Sequence, residues 1–255
     1  MQQPLPGEPW DIPDARSTFE RDGWLLVPQL VTRATLDALL TALYALERSA
    51  ATFDCDTLVR GVFFEVQSSS GRKREPAVFP GALRKITSPS KGQPAFAKLR
   101  RDPRVLAAVA RCGIQEPRCL IDQVNLKLPR LGTCFPYHQD ENFLFGDALQ
   151  FVKQFGGVNL VIALDPSDAT NGGFEVLGRT HLGDLAEQNY DVSIMNRGLF
   201  DESPRVIPAL SPGDALLFHP RLAHGSGPNL SDRPRRLITL WYGGGAPPLA
   251  VAERA

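Results

Sequence analysis

The stretch CLIDQVNLKLPRLGTCFPYHQD, residues 119–140, shows the pattern that dominates the second half of this chain. Two runs rich in aliphatic, aromatic and β-branched residues, 119–128 and 134–140, are separated by a turn that contains Pro and Gly. Similar runs lie at 157–164, 173–177, 205–209, 214–219 and 235–242. Short strands between regular turn signals are typical of an antiparallel sandwich or barrel.

Helical signals lie upstream of these strands. Leucines at 36, 39, 40 and 43 follow the spacing of one helix face, and Thr32 is placed to cap that helix. The sequence also predicts a short helix at 19–23, a strand at 24–28, and helical turns over 95–112 that are interrupted near Pro103. Helices first and strands later predict an α+β fold, with N-terminal helices flanking a β core.

Length and composition limit the possible functions. The 255 residues fit a single domain over 1–255, and prolines at 4, 6, 9 and 13 predict an irregular N-terminal arm over 1–16. The formal net charge of zero argues against a dedicated nucleic-acid binder. No apolar run approaches the ~20 residues that span a bilayer, so no membrane partner is expected.

The four cysteines form no CxxC pair, and the chain shows no secretory signal. We therefore expect a cytoplasmic protein whose cysteines are reduced packing residues. The sequence does not indicate an oligomeric state.

His138 and Asp140 form the sharpest candidate site. Residues two apart on a strand face the same side, so this imidazole and this carboxylate are expected to point together into a barrel interior. His224 would complete a set of two histidines and one carboxylate, which leaves open positions on Fe(II). A His-x-Asp tripeptide also occurs by chance, so this interpretation depends on the rest of the chain.

The segment HGSGPNLSDRPRR, residues 224–236, links His224 to Arg235 eleven residues later. Arg235, Leu237 and Thr239 share one face of the predicted strand. A buried arginine needs an anionic partner, and guanidinium binds a carboxylate with two hydrogen bonds. A dicarboxylate could therefore chelate a metal at one end and contact Arg235 at the other.

Several motifs in chain order carry a family resemblance: 19–28, 83–86, 102–104, HQDE at 138–141, 162–165, NGG at 171–173, PGD at 212–214, and the 224–236 segment. Together they resemble the phytanoyl-CoA dioxygenase-like branch of the Fe(II)/2-oxoglutarate oxygenases along nearly the whole chain. The resemblance implies a double-stranded β-helix, a jelly-roll or cupin-like barrel with flanking helices.

The same resemblance implies an enzyme that uses Fe(II), with 2-oxoglutarate and O₂ as co-substrates. Carried over by position, the metal ligands are His138, Asp140 and His224. Arg235 and Ser226 would bind the distal carboxylate of 2-oxoglutarate, and Gln123 and Lys85 would line the co-substrate site.

Three further residues, Asn125, Phe143 and Asn159, are predicted to bind substrate. Asn125 shares a polar strand face with Gln123 and Lys127. Asn159 lies in an otherwise apolar strand, where a buried amide must find a partner. Phe143 belongs to segment 141–156, which we expect, together with 182–204, to form long loops beside the substrate pocket.

The motifs and the resemblance together predict a dioxygenase that hydroxylates, or otherwise oxidises, an unactivated C–H bond of a small molecule in bacterial secondary or amino-acid metabolism. Asp140 favours hydroxylation, or another outcome of hydrogen abstraction, over halogenation, because related halogenases lack this carboxylate and bind chloride. Three alternatives remain. They are a cupin-like hydrolase or isomerase, a non-catalytic ligand-binding relative, and an acyl-CoA hydroxylase, for which the basic cluster at 72–74 is the candidate phosphate contact.

Some positions weaken or exclude a site role. Residues 178–181 read Gly-Arg-Thr-His where the family commonly has Pro-Gly-Ser-His, which weakens any transfer of substrate contacts there. His219 and His181 are predicted to be structural, because residue 230, eleven after His219, is a leucine.

Overall fold

The computed structural model describes residues 12, 14–68, 75–131, 133–187 and 194–245. Its α-helices are α1 (Ala15–Asp22), α2 (Arg33–Ser49), α3 (Pro94–Leu99), α4 (Pro103–Arg111) and α5 (Gly146–Phe155). Its strands are β1 (Trp24–Val27), β2 (Thr57–Val59), β3 (Val62–Val66), β4 (Leu83–Thr87), β5 (Arg118–Lys127), β6 (Phe135–His138), β7 (Gly157–Ala163), β8 (Glu175–Leu177), β9 (Arg205–Val206), β10 (Ala215–Phe218), β11 (His224–Ser226) and β12 (Arg235–Gly243). Short 3₁₀ helices occur at Pro89–Lys91, Asp140–Phe143 and Thr180–Leu182.

The strands form two antiparallel sheets. The larger one has eight strands in the order β1-β10-β7-β12-β5-β4-β3-β2, and the smaller one has four in the order β6-β11-β8-β9. On β12, Ile238, Leu240 and Tyr242 enter the main apolar core, which also contains residues of α1 to α4. The alternate residues of β12 face a pocket that both sheets line. One face of the large sheet therefore packs on helices and the other is available for a site.

The predicted N-terminal helices are confirmed. Thr32 caps α2, since its hydroxyl oxygen accepts a hydrogen bond from the Thr35 amide, and Leu36, Leu39 and Leu43 are buried. Helix α1 ends at Gly23, whose φ of 81° suits a residue without a side chain. Pro103 begins α4 rather than interrupting a longer helix. Of the helices in the described residues, none has both the length and the apolar character that a bilayer span requires.

Two expectations about the order of elements need correction. Strands β2, β3 and β4 lie among the N-terminal helices and extend the large sheet beyond β5, so helices do not simply precede strands. Helix α1 begins at Ala15, within the expected irregular arm. Residues 1–11 and 13 of that arm lie outside the described residues.

Segment 141–156 is mainly helical, although we expected a loop. It contains most of the Asp140–Phe143 3₁₀ helix and all of α5, which ends at Gly156 with φ of 79°. Helix α5 forms because Val152 packs into a small apolar cluster with Leu144 and Trp241. Segment 182–204 matches the loop expectation over 183–187 and 194–204, which contain no helix or strand, whereas Leu182 is the last residue of the Thr180–Leu182 3₁₀ helix.

Candidate functional site

A pocket of about 690 Å³ lies between the two sheets. The large sheet contributes its inward residues from β5 and β12, and the small sheet contributes residues of β6 and β11. His138, Asp140 and His224 line this pocket, and so do Arg235 and Ser226. The fold therefore brings His224, Ser226 and Arg235 into one pocket with His138 and Asp140, which precede His224 by 86 and 84 positions in the chain.

Three potential metal ligands meet at one point of the pocket. One carboxylate oxygen of Asp140, Oδ1, lies 3.4 Å from Nε2 of His138 and 3.5 Å from Nε2 of His224. His138 is the last residue of β6 and pairs in register with His224, the first residue of β11. We expected Asp140 to lie on the same strand as His138. It instead begins a 3₁₀ helix after an extended Gln139. It still faces the histidines.

Backbone carbonyls fix the orientation of both imidazoles. Nδ1 of His138 lies 2.6 Å from the carbonyl oxygen of Pro136, and Nδ1 of His224 lies 2.9 Å from that of Leu222. A carbonyl oxygen only accepts hydrogen bonds, so each Nδ1 carries the proton and donates it. Each Nε2 therefore presents its lone pair to the pocket, which is the arrangement that metal-binding histidines need.

The electrostatics of these residues also suit a divalent cation. Burial favours the neutral acid, but the nearby imidazoles of His224 and His138 outweigh it and hold the pKa of Asp140 below its usual value. Burial, assisted by His224, lowers the pKa of His138. Neutral imidazoles and an ionised carboxylate are the protonation states of metal ligands. The donor set fits Fe(II) of the type held by two histidines and one carboxylate.

Arg235 provides a buried positive charge in the same pocket. Its side chain is 1% exposed, and its Nε and Nη2 donate to the carbonyl oxygen of Gly172 at 3.0 and 2.8 Å. Nη2 also donates to Oγ of Ser226 at 3.2 Å. No carboxylate in the described residues forms an ion pair with it, and burial lowers the pKa of Arg235. A desolvated cation without a counter-ion favours binding of an anion from the pocket.

Lys85 and Gln123 line the pocket, as the resemblance implies. Lys85 lies 3.6 Å from Glu65, and Glu65 in turn accepts a 2.6 Å hydrogen bond from Arg84. Arg84 also stacks on the ring of Phe135. Sequence reasoning missed Glu65 and Arg84, although a glutamate within the apolar stretch VFFEV (62–66) was a usable signal for a buried ion pair.

Of the three predicted substrate residues, two line the pocket. Asn125 donates from Nδ2 to Thr239, and its buried Oδ1 has no hydrogen-bond partner among the described residues. Phe143 is 40% exposed, and its ring meets that of His138 edge-on at 5.5 Å. Asn159 does not line the pocket, because its amide is used instead to bind Asp140.

Two other inward residues differ from the expected pattern. Lys127 shares the strand face of Asn125, but its ammonium donates to the carbonyl oxygens of Thr133, Ser226 and Gly227 and thus supports the Ser226 segment. Trp241 was missed, although it lies on the predicted face of β12. It lines the pocket, and its buried indole N–H has no partner among the described residues.

His181 and His219 lie away from the metal ligands, as expected. Nε2 of His181 donates to the Glu20 carbonyl, and Nδ1 of His219 accepts from the backbone amide of Arg221. Their rings are 5.3 Å apart. These contacts agree with structural roles for both histidines.

The cysteines at 55, 112, 119 and 134 are all free thiols.

Comparison with known families agrees with the geometry. A profile of the phytanoyl-CoA dioxygenase (PhyH) family matches residues 19–237, which is most of the chain. The chain belongs to the phytanoyl-CoA dioxygenase family. The peroxisomal phytanoyl-CoA dioxygenase of Rattus norvegicus is 35% identical over 120 residues, 42% of this chain. The aligned part spans only 33% of the rat protein.

Several solved structures share the fold of this chain. The crystal structure of EctD from S. alaskensis with 2-oxoglutarate and 5-hydroxyectoine matches with a TM-score of 0.69 at 21% identity, covering 95% of this chain and 79% of that one. The non-haem α-ketoglutarate-dependent carbocyclase SnoK from nogalamycin biosynthesis also gives 0.69, at 15% identity, covering 92% and 85% of the two chains. The expected double-stranded β-helix with flanking N-terminal helices is confirmed.

Proposed function

We propose that this protein is a non-haem Fe(II)/2-oxoglutarate-dependent dioxygenase that hydroxylates an unactivated C–H bond of a small molecule. One observation carries the proposal. Arg235, a buried cation without a carboxylate partner in the described residues, lines the same pocket as the three metal-ligand residues. A ligand with a metal-chelating end and a distal carboxylate satisfies both parts of this pocket at once.

In the proposed complex, Nε2 of His138, Nε2 of His224 and the carboxylate of Asp140 hold the metal. Arg235 and Ser226 bind the distal carboxylate of 2-oxoglutarate. When bound, Fe(II) with 2-oxoglutarate supplies the chemistry that uses O₂ to convert substrate R–H to R–OH, with 2-oxoglutarate leaving as succinate and CO₂. The chain itself contributes the positions of these groups.

The surroundings of His224 restrict water around the proposed metal. The ring of Phe218 lies 4.6 Å from the His224 ring, and the ring of Phe174 stacks on it at 5.2 Å. Both phenylalanines line the pocket and both are buried. An apolar surround of this kind excludes bulk solvent and strengthens the electrostatic contacts inside the pocket.

The outer wall of the pocket supports a small substrate that is partly polar. Phe143 and Ile121 offer apolar surface, whereas Gln123 and Asn125 offer amide groups on the same side of the large sheet. The unpartnered Oδ1 of Asn125 favours a substrate with an N–H or O–H donor. We place this substrate in bacterial secondary or amino-acid metabolism, in keeping with the ectoine and nogalamycin proteins that share the fold.

A second candidate is hydroxylation of an acyl-CoA. The similarity to the rat phytanoyl-CoA dioxygenase favours it. The basic cluster at 72–74, the candidate contact for CoA phosphates, lies outside the described residues. A panel of acyl-CoA thioesters and free amino acids, assayed by succinate release, discriminates between the two substrate classes.

The alternative of a cupin-like hydrolase or isomerase is disfavoured by Arg235, since those reactions need no dicarboxylate. Cytoplasmic location remains a prediction, as does the absence of nucleic-acid and membrane partners.

The direct test adds Fe(II) and 2-oxoglutarate to metal-free protein in the absence of oxygen. We expect a visible metal-to-ligand charge-transfer band, because 2-oxoglutarate would chelate the bound metal. Admission of O₂ with a substrate should then release succinate. Absence of the band, together with tight zinc binding and no 2-oxoglutarate binding, would contradict the proposal and favour the cupin-like alternative.

A further inference from the structure

Asn159 is a polar residue in a strand that is otherwise apolar. All seven residues of β7 are buried, and the other six are glycine, alanine or branched aliphatic residues. In the sheet, Asn159 pairs in register with Phe218 on β10 and with Trp241 on β12. Its amide therefore lies in a row between two aromatic residues that face the pocket, where an unpaired polar group would be unfavourable.

The amide is directed at one oxygen of the proposed metal ligand. Nδ2 of Asn159 donates a hydrogen bond of 2.7 Å to Oδ2 of Asp140. The other oxygen, Oδ1, is the one that lies near Nε2 of both histidines. The two oxygens of Asp140 thus have different surroundings, because one faces the amide and the other faces the ligand cluster.

We propose that Asn159 is a positioning residue that makes Asp140 a one-oxygen metal ligand. The inference rests on the proposed function. A carboxylate that binds a metal through both oxygens occupies two coordination positions, whereas a one-oxygen ligand occupies one. With two histidines and one such oxygen, a six-coordinate metal keeps three positions for 2-oxoglutarate and O₂. Holding Oδ2 away from the metal therefore protects the position that the co-substrate needs.

The geometry around Asn159 makes this constraint rigid. Asn159 is 2% exposed and Asp140 is also 2% exposed, so water has little access to either partner. Phe218 pairs with Asn159 across neighbouring strands, and its ring lies 4.6 Å from the ring of His224. A hydrogen bond between buried groups that are packed on both sides keeps its direction better than one at the surface.

The test compares Asn159→Leu with the wild-type protein loaded with Co(II) and without oxygen. Leucine suits a buried apolar strand, has nearly the shape of asparagine and lacks the amide that donates to Asp140, and Asn159→Ala serves as a smaller second variant. Ile162→Val, on the same strand but facing the helical core, is the matched control. Circular dichroism and thermal unfolding establish that each variant is folded before binding is measured.

Two quantities are measured: the dissociation constant for Co(II) alone and that for 2-oxoglutarate on the Co(II) protein. We expect both donor-free variants to weaken 2-oxoglutarate binding by about tenfold and to change Co(II) affinity by less. The ligand-field spectrum of bound Co(II) should shift in these variants, since an added carboxylate oxygen changes the coordination. Ile162→Val should match the wild type in all three measurements.

The inference is overturned if Asn159→Leu and Asn159→Ala keep both the wild-type Co(II) spectrum and the wild-type affinity for 2-oxoglutarate. It is also overturned if they lose Co(II) affinity with no selective effect on 2-oxoglutarate, which would show that Asn159 supports the fold of the site and not ligand geometry. Failure of the proposed function looks different, because then the wild-type metal-loaded protein itself does not bind 2-oxoglutarate.

Discussion

The two faces of strand β12 carry adjacent arginines with opposite surroundings. Arg236 faces the helices, where its Nε and Nη2 donate to the two carboxylate oxygens of Asp165 at 2.8 and 2.9 Å. Its Nη1 lies 3.6 Å from Glu47 of α2. Arg235 faces the pocket, and among the described residues its side chain donates only to the carbonyl oxygen of Gly172 and to the hydroxyl of Ser226.

This difference separates a structural cation from a binding cation. The hydrogen bonds that Arg236 donates to Asp165 raise the pKa of Arg236, whereas burial lowers the pKa of Arg235. Both guanidinium groups keep their charge at any physiological pH. One charge is neutralised within the fold, and the other favours an anion from outside. Both residues are buried arginines, so residue type and depth of burial do not distinguish them. The presence of a carboxylate partner decides which arginine is available for a ligand.

Arg236→Leu should give the largest effect on stability. It leaves Asp165 without its bidentate partner in a site where both side chains are at most 15% exposed. We expect the free energy of unfolding, measured by urea denaturation, to fall by about 3 kcal/mol. Arg233→Leu, at an exposed arginine near Asp168, is the control and should cost less than about 0.5 kcal/mol. Equal losses in the two variants would contradict the assignment of a structural role to Arg236.

Arg235→Leu should instead weaken 2-oxoglutarate binding and leave the stability of the fold nearly unchanged. We expect the affinity of the Fe(II) protein for 2-oxoglutarate to fall by about a hundredfold, or about 3 kcal/mol, as two charge-assisted hydrogen bonds are lost. Fe(II) affinity should hold, because Arg235 is not among the metal-ligand cluster. The free energy of unfolding should change by less than about 1 kcal/mol, since the lost hydrogen bonds are offset by removal of a desolvated cation. A collapse of metal binding with intact 2-oxoglutarate affinity would show that the assignment is wrong.

His219 tests the cost of burying a charge outside the pocket. Burial, together with the nearby His181 and Arg221, lowers the pKa of His219 to about 4. The unfolded chain, with a histidine pKa near 6.5, binds a proton between pH 7 and 5 that the folded protein does not. The contribution of His219 to stability is therefore lost as pH falls, by about 2 kcal/mol at pH 5.

The corresponding experiment compares urea unfolding of the wild type and His219→Asn at pH 7 and pH 5. The variant should lose less stability on acidification, and the titrating groups that lie away from His219 and His181 cancel in the comparison. Equal losses would show that His219 protonates freely in the folded protein. A buried imidazole can release its proton and become neutral, whereas the guanidinium of Arg235 keeps its charge. Burial therefore leaves His219 without a charge but leaves Arg235 in need of an anion.

Ser226→Ala should give the smallest effect. The hydroxyl of Ser226 lies 3.2 Å from Nη2 of Arg235, at the proposed site of the distal carboxylate. We expect 2-oxoglutarate to bind about fivefold more weakly, equivalent to about 1 kcal/mol. Thermal stability and Fe(II) affinity should be unchanged. An effect as large as that of Arg235→Leu would mean that Ser226, and not the guanidinium, is the main anion contact.

Much of the site was predictable because its signals are local. The inward face of β12 follows from strand alternation, which correctly separates Arg235 and Thr239 from the core residue Ile238. The α2 helix follows from its leucine spacing and its Thr32 cap. These features depend on residues close together in the chain, so periodicity and capping rules apply directly.

The unpredicted features depend on contacts between distant segments. Asn159 was expected to meet substrate, but it binds Asp140 from a different part of the chain. Helix α5 was missed because its burial comes from Trp241, about 90 residues downstream. Strand β4 pairs with β5, and β3 and β2 continue the sheet from β4, but the sequence of β5 gives no sign of that partner. Local patterns do not encode which segments come into contact.

The most direct test of the account measures which end of the ligand Arg235 recognises. The Fe(II) protein is titrated without oxygen with 2-oxoglutarate and with 2-oxovalerate, which has a methyl group in place of the distal carboxylate. We predict that the wild type prefers 2-oxoglutarate by about a hundredfold and that Arg235→Leu reduces this preference to within about threefold. An undiminished preference in Arg235→Leu would contradict the central claim that this buried arginine binds the distal carboxylate.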